Sequence, residues 1–159
     1  MPNYQSPIPY VSARVGAAAL YCSDGRVGEH FDDFLQNGLH LPRYDRVALP
    51  GGPACLAGHT EAYVQEQGVI DELKFLVDVH GLSRVILIAH EGCAFYKARL
   101  QLPQQYIEYQ QTIDLVKAAG FIRRITGLSD VQAFFARRGE NGIVFEPVQT
   151  LVEHVPVKA

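Results

Sequence analysis

Residues 84–93 read RVILIAHEGC, and the reading of this stretch decides how the rest of the chain is arranged. Arg84 to Ala89 is a continuous run rich in β-branched residues, without polar alternation, as in a strand covered on both faces. Such a strand belongs inside a sheet whose faces both carry helices. Directly beyond it come His90 and Cys93, two side chains of metal-ligand type separated by a tight turn.

Upstream, Val69, Ile70, Leu73, Leu76, Val77 and His80 recur at three- and four-residue intervals, which predicts a helix over 61–80 stopped by Gly81. The mostly apolar residues 14–21 predict a first strand, and EHFDDFLQNG predicts a short helix with Phe31, Phe34 and Leu35 on its inner face. YDRVALP predicts a second short strand ending at Pro50. Downstream, AFYKARL and PQQYIEYQQTIDLVKAAG predict a helix interrupted near Pro103 and restarted there. LSDVQAFFARRG predicts a further helix capped by Ser129 and ended by Gly139, burying Val131, Phe134 and Phe135. GIVFEPVQTLVEHV reads as two short strand-like runs broken at Glu146 and Pro147, suited to a hairpin or a sheet edge. Strands alternating with helices imply the α/β class: a mainly parallel open sheet flanked by helices, with a C-terminal edge hairpin. Three prolines within the first nine residues make 1–13 an extended arm, leaving 14–159 as a single domain.

Composition excludes several classes of function. A net charge of −3, with no cluster of Lys and Arg interleaved with aromatics, provides no field for a phosphate backbone, so nucleic acid is not an expected partner. No window approaches the ~20 apolar residues of a membrane span, and the N-terminus lacks a secretory leader pattern. The expected setting is cytoplasmic. Three widely spaced cysteines do not make the disulfide framework of a secreted domain; they read as buried thiols or metal ligands.

The stretch YCSDGRVGEH, residues 21–30, places Cys22, Asp24 and Arg26 where the first strand runs out. Two parallel strands thus end in ligand-type residues at the same edge of the sheet, where open α/β sheets bind ligands. Taken singly, Cys22 is a buried thiol and His90 a core histidine. Taken together, Cys22, His90 and Cys93 offer two thiolates and an imidazole, a donor set suited to tetrahedral Zn2+ with its fourth position open to water, as in catalytic zinc sites. On an extended segment Asp24 and Arg26 point the same way and can pair beside the metal. The carboxylate could then accept a proton from water at the metal, or close the site if Arg26 released it. Cys55 lies in the Pro/Gly stretch and reads as a spare buried thiol; the remaining histidines lack ligand spacing, although His59 is placed to line the pocket. Tyr106 and Tyr109 read as helix packing or subunit surface.

CSDGR and HEGC, in this order and at these strand ends, resemble the paired motifs of the β-class carbonic anhydrases, and the likeness extends over roughly residues 14–154. The resemblance implies a zinc lyase that hydrates CO2 reversibly to bicarbonate, with zinc on Cys22, His90 and Cys93, an Asp24–Arg26 catalytic dyad, and a homodimer or higher homo-oligomer. Two features depart from the family pattern. Ala89 and Ala94 flank the second motif, and LPGGPACLAGH replaces the usual loop after the second strand, with two prolines expected to reshape the CO2 pocket. Two other readings stay open: a zinc hydrolase of another small linear substrate such as CS2 or COS, and a non-catalytic zinc-binding assembly or regulatory module.

Overall fold

The computed structural model describes residues 1–151. Residues 1–16 carry no helix or strand, and Tyr4, Ile8 and Tyr10 of this segment are exposed. Arg43 fastens its end by donating to the carbonyls of Val11 and Ala13 at 3.0 and 2.9 Å. The first strand, β1, is Ala17–Cys22; it begins later than the composition of 14–21 suggests, because Arg14 points instead to the carbonyl of Val79.

The order along the chain is then α1 (Gly28–Asp33, continued by a π turn over Phe34–Gly38), β2 (Asp45–Leu49), a 3-10 turn (Gly52–Leu56), α2 (Tyr63–Phe75, continued by a π turn over Leu76–His80), β3 (Arg84–His90), α3 (Ala94–Ala98), α4 (Gln104–Thr126), β4 (Asp130–Gly139) and β5 (Gly142–Val148). Five strands make one sheet in the order β2-β1-β3-β4-β5, parallel except for the antiparallel β4–β5 pair at the edge. This is the mainly parallel α/β sheet with an edge hairpin expected from the sequence.

The alternation of β3 across the sheet explains its unbroken apolar run. Val85, Leu87 and Ala89 enter a core beneath α2 and α4, whereas Ile86 and Ile88 enter a second core beneath α1. All five are buried, and hiding each of the larger ones contributes about 1.5–3 kcal/mol. Gly81 ends the second helical segment in the left-handed region at φ 72°, as its position suggests.

Two expectations at the C-terminal end need correction. Residues 128–139 do not form a helix: Asp130–Gly139 is β4, paired with β3 from Arg84↔Asp130 to His90↔Ala136. Val131, Ala133 and Phe135 face one core while Phe134 and Ala136 face the other, so two-sided burial puts apolar residues at spacings that imitate a helix face. Nor is the chain broken at Glu146 and Pro147. β5 runs through both, with Pro147 opposite Phe134, because an edge strand tolerates a missing N–H. The hairpin partner of this run is therefore β4, and Phe145 stacks on Phe34 at 4.0 Å to hold the edge against the α1 layer. Of the second run expected after Pro147, over 148–155, Val148 ends β5 and residues 152–155 lie outside the described residues. Among the described residues, no helix is long and apolar enough to cross a membrane.

Candidate metal centre

The parallel pairing of β1 with β3 brings their C-terminal ends side by side, and the candidate ligands sit on those ends. Cys22 is the last residue of β1, His90 the last of β3, and Cys93 precedes the first turn of α3. Gly92, in the left-handed region at φ 74°, makes the reversal that returns Cys93 toward β1. The two sulfurs are 3.8 Å apart, and one donor atom from each of Cys22, His90 and Cys93 falls within a 4.8 Å group; all three residues are buried.

The donor atoms of this trio are of a kind and spacing that could hold a metal ion. His90 donates from Nδ1 to the carbonyl of Glu91 at 3.0 Å, which leaves Nε2 with its lone pair. Nε2 is buried and has no hydrogen-bond partner among the described residues. Such an orphaned acceptor is costly unless something occupies it. Two sulfurs held at ~2.3 Å by one tetrahedral zinc lie roughly 3.8 Å apart, the separation found here. Sharing a proton with Cys93 pulls the Cys22 thiol below its ordinary value, against the opposing effect of burial. The same sharing, together with burial, pushes Cys93 up. A divalent cation in place of that proton would satisfy both sulfurs and Nε2 at once, so the residues fit the zinc that the motifs imply.

Asp24 and Arg26 lie in the turn after β1. The Asp24 carboxylate takes Nη2 of Arg26 at 2.6 Å, Nε at 3.0 and 3.1 Å, and the Arg26 backbone N–H at 3.0 Å. These bonds hold its carboxyl down at about 2 and keep it outside the Cys-His-Cys group. The pair opens onto a cavity of about 220 Å3 whose wall includes Asp24, Arg26, His90, Glu91, Arg138 and Ile143. Arg138 is fixed across it by Glu91, through its backbone N–H at 2.9 Å and Nη2 at 2.8 Å.

The loop 49–59 takes no part in lining this cavity. It packs behind the sulfurs, with Ala54, Cys55 and Leu56 in the core. Cys55 is a free thiol outside the ligand group, and burial pushes it up to about 12. His59 turns away to Asp114, with Nε2 and Oδ2 2.7 Å apart. Tyr106 and Tyr109 are exposed on α4. The sequence reading passed over Gln111, which donates to the carbonyl of His90 at 2.8 Å, and Asp114. Both are buried and share a helix face with Ile107, Leu115, Ala118 and Ile122. Polar residues at positions that the helical period assigns to the core were the available signal.

A family model described as "Putative carbonic anhydrase" matches residues 13–135. The chain belongs to this carbonic anhydrase family. Its fold is similar to that of β-carbonic anhydrase isoform I from Trichomonas vaginalis, with a TM-score of 0.55 at 10% identity over 89% of this chain and 87% of that one. It is also similar to the β-carbonic anhydrase CafA of Aspergillus fumigatus, with a TM-score of 0.53 at 14% identity over 87% of this chain and 77% of that one. No curated protein sequence matches it. Family membership rests on the family model, and at these identities the solved structures speak to the fold alone.

Proposed function

We propose that the chain binds one zinc ion through Cys22, His90 and Cys93 and catalyses the reversible hydration of CO2 to bicarbonate. The observation that carries this reading is the buried, unpartnered Nε2 of His90 facing two free thiols at the end of the sheet. A zinc ion supplies, when bound, the Lewis acidity that turns water into a nucleophile near neutral pH. Asp24, kept ionised by Arg26, is the nearby proton acceptor, and Arg26 keeps that carboxylate from occupying the position the substrate needs. Val27, Ala136 and Ile143 give the cavity an apolar wall for neutral CO2, while Arg26 and Arg138 provide cationic groups along the route of an anionic product.

Residues 14–159 act in this reading as one zinc domain with the arm 1–13 outside it. The exposed Tyr4, Ile8 and Tyr10 support docking of that arm on a second copy, giving a homodimer or higher homo-oligomer. A reducing, cytoplasmic setting accords with the need to keep both ligand thiols free. Stopped-flow measurement of CO2 hydration by the zinc-loaded protein tests the proposal. The parent should exceed the buffer rate and Cys93→Ala should fall to it; a zinc-loaded parent no faster than buffer overturns the reading.

A further inference from the structure

Asp114 is completely buried in the middle of α4, yet its carboxylate is fully engaged. Oδ2 accepts from His59 Nε2 at 2.7 Å and from Tyr96 Oη at 2.8 Å, and Oδ1 accepts from Gln110 Nε2 at 2.8 Å. A carboxylate is only an acceptor, so the hydrogen of the first contact belongs to His59 Nε2. A buried carboxylate is retained at a high desolvation cost, which points to what its partners hold.

Those partners belong to the two segments that enclose the thiols. Tyr96 lies in α3, three residues after Cys93, and is buried. His59 closes the loop that starts at Gly51 and Gly52, which lie against α3 and against the backbone of Cys22. The loop is wedged tightly at its other end. A Cβ on Gly52 would lie 2.6 Å from the Tyr21 carbonyl carbon and 2.8 Å from the Cys22 amide nitrogen, and one on Gly51 would lie 2.6 Å from the Phe95 ring. The wedge touches β1 and α3 together. Asp114 fixes its far end through His59 and fixes α3 through Tyr96.

We infer that Asp114 and His59 are positioning residues for the metal centre: they clamp the loop 51–59 and α3 so that the wedge of Gly51 and Gly52 between β1 and α3, and with it the Cys22 and Cys93 sulfurs, is held in the arrangement that binds the ion. The inference rests on the zinc reading above, but it concerns affinity and geometry and is independent of turnover. Removal of either group frees the loop to back away from the sulfurs, loosening the metal without removing a ligand. Loss of a partner that orients metal ligands typically costs ~10- to 100-fold in metal affinity.

The test compares the parent with His59→Ala, Asp114→Asn and, as a control, His80→Ala. The control removes a histidine–carboxylate contact of similar length, His80 Nδ1 to Asp45 Oδ2 at 2.8 Å, at the opposite end of the sheet. Zinc affinity is read by competition with a chromophoric chelator, and the cobalt-loaded protein is examined for thiolate-to-metal charge-transfer absorption. Backbone amide exchange across 51–56 is followed in the metal-free protein. His59→Ala and Asp114→Asn should bind zinc about 10- to 100-fold more weakly, with an altered cobalt spectrum and faster exchange over 51–56, while His80→Ala matches the parent. Parental affinity and cobalt spectrum in both His59→Ala and Asp114→Asn, even with faster exchange, would reduce the cluster to a structural fastening and overturn the inference. Equal weakening in His80→Ala would do the same. A parent that binds zinc tightly but does not hydrate CO2 defeats the functional proposal and leaves this inference standing on its affinities.

Discussion

Gly52 provides a test of how closely the loop lies on the ligand strand. It sits at φ +50°, and its absent Cβ leaves just enough room for the backbone of Tyr21 and Cys22, the nearest atoms falling at 2.6 and 2.8 Å from where that carbon would be. Both are main-chain atoms of a buried central strand and cannot swing aside. In Gly52→Ala the left-handed conformation costs about 1–2 kcal/mol for an L residue, and forcing one carbon into a filled space costs about 1–3 kcal/mol more. The expected loss is therefore ~2–5 kcal/mol from a domain whose total stability is of order 5–15 kcal/mol. For a chain of this length that lowers Tm by roughly 4–20 °C. Gly68 is the internal comparison: it lies within α2, a Cβ there meets nothing within 4 Å, and Gly68→Ala should gain up to ~1 kcal/mol. Urea and thermal unfolding should be followed in chelator, since bound metal would stabilise the native state by mass action and mask the difference. A Gly52→Ala protein as stable as the parent, or a Gly68→Ala protein destabilised to the same extent, would show that the loop is not pressed on Cys22 as described.

Metal content should separate the three thiols: about one zinc per chain in the parent and in Cys55→Ala, and strong loss in Cys93→Ala, so zinc retained in Cys93→Ala removes the proposed ligand set. Arg26→Ala and Asp24→Ala should both keep zinc and lose CO2 hydration, the first because the freed carboxylate can turn onto the metal, the second because the acceptor is gone; undiminished rates in both would make the dyad an ordinary surface pair. Deleting residues 1–10 should weaken self-association in sedimentation, and a parent that is monomeric at micromolar concentration contradicts the proposed assembly. Arg137 joins Glu108 of α4 to Glu146 of β5 and holds the Glu108 carboxyl below its ordinary value of 4.5. The depressed folded-state value means that its contribution is present above pH 4.5 and fades as pH falls below it, so Arg137→Ala should cost under ~1 kcal/mol near neutrality and progressively less in acid, as read from unfolding midpoints against pH.

What could be read from the sequence depended on how local each determinant is. β3 and the three candidate ligands were legible because a strand buried on both faces leaves an uninterrupted run, and the ligand residues follow their strands without intervening chain. β4 was not legible, although it is buried in the same way. Gln132 and the arginines at 137 and 138 break its run, and Val131, Phe134 and Phe135 then fall at helical spacing. Only pairing with β3, more than forty residues earlier, decides between the periods. A segment with balanced local preferences takes the structure that its neighbour can hydrogen-bond.

The loop LPGGPACLAGH presents the opposite case, since its composition was conspicuous while its role was hidden. Its two prolines suggested a reshaped substrate pocket, yet the residues pack behind the sulfurs and away from the cavity. Each feature has a local cause. Gly51 and Gly52 are needed because the backbone passes against Phe95 and Cys22 with no space for a side chain. Pro53 stands in the opening turn of the 3-10 helix, where a backbone N–H has no partner to lose. The resulting turn lies against Cys22 and Phe95 and carries His59 to Asp114. The departure from the family's usual loop therefore bears on how the thiols are held, and metal affinity should respond to changes in this loop before the shape of the cavity does.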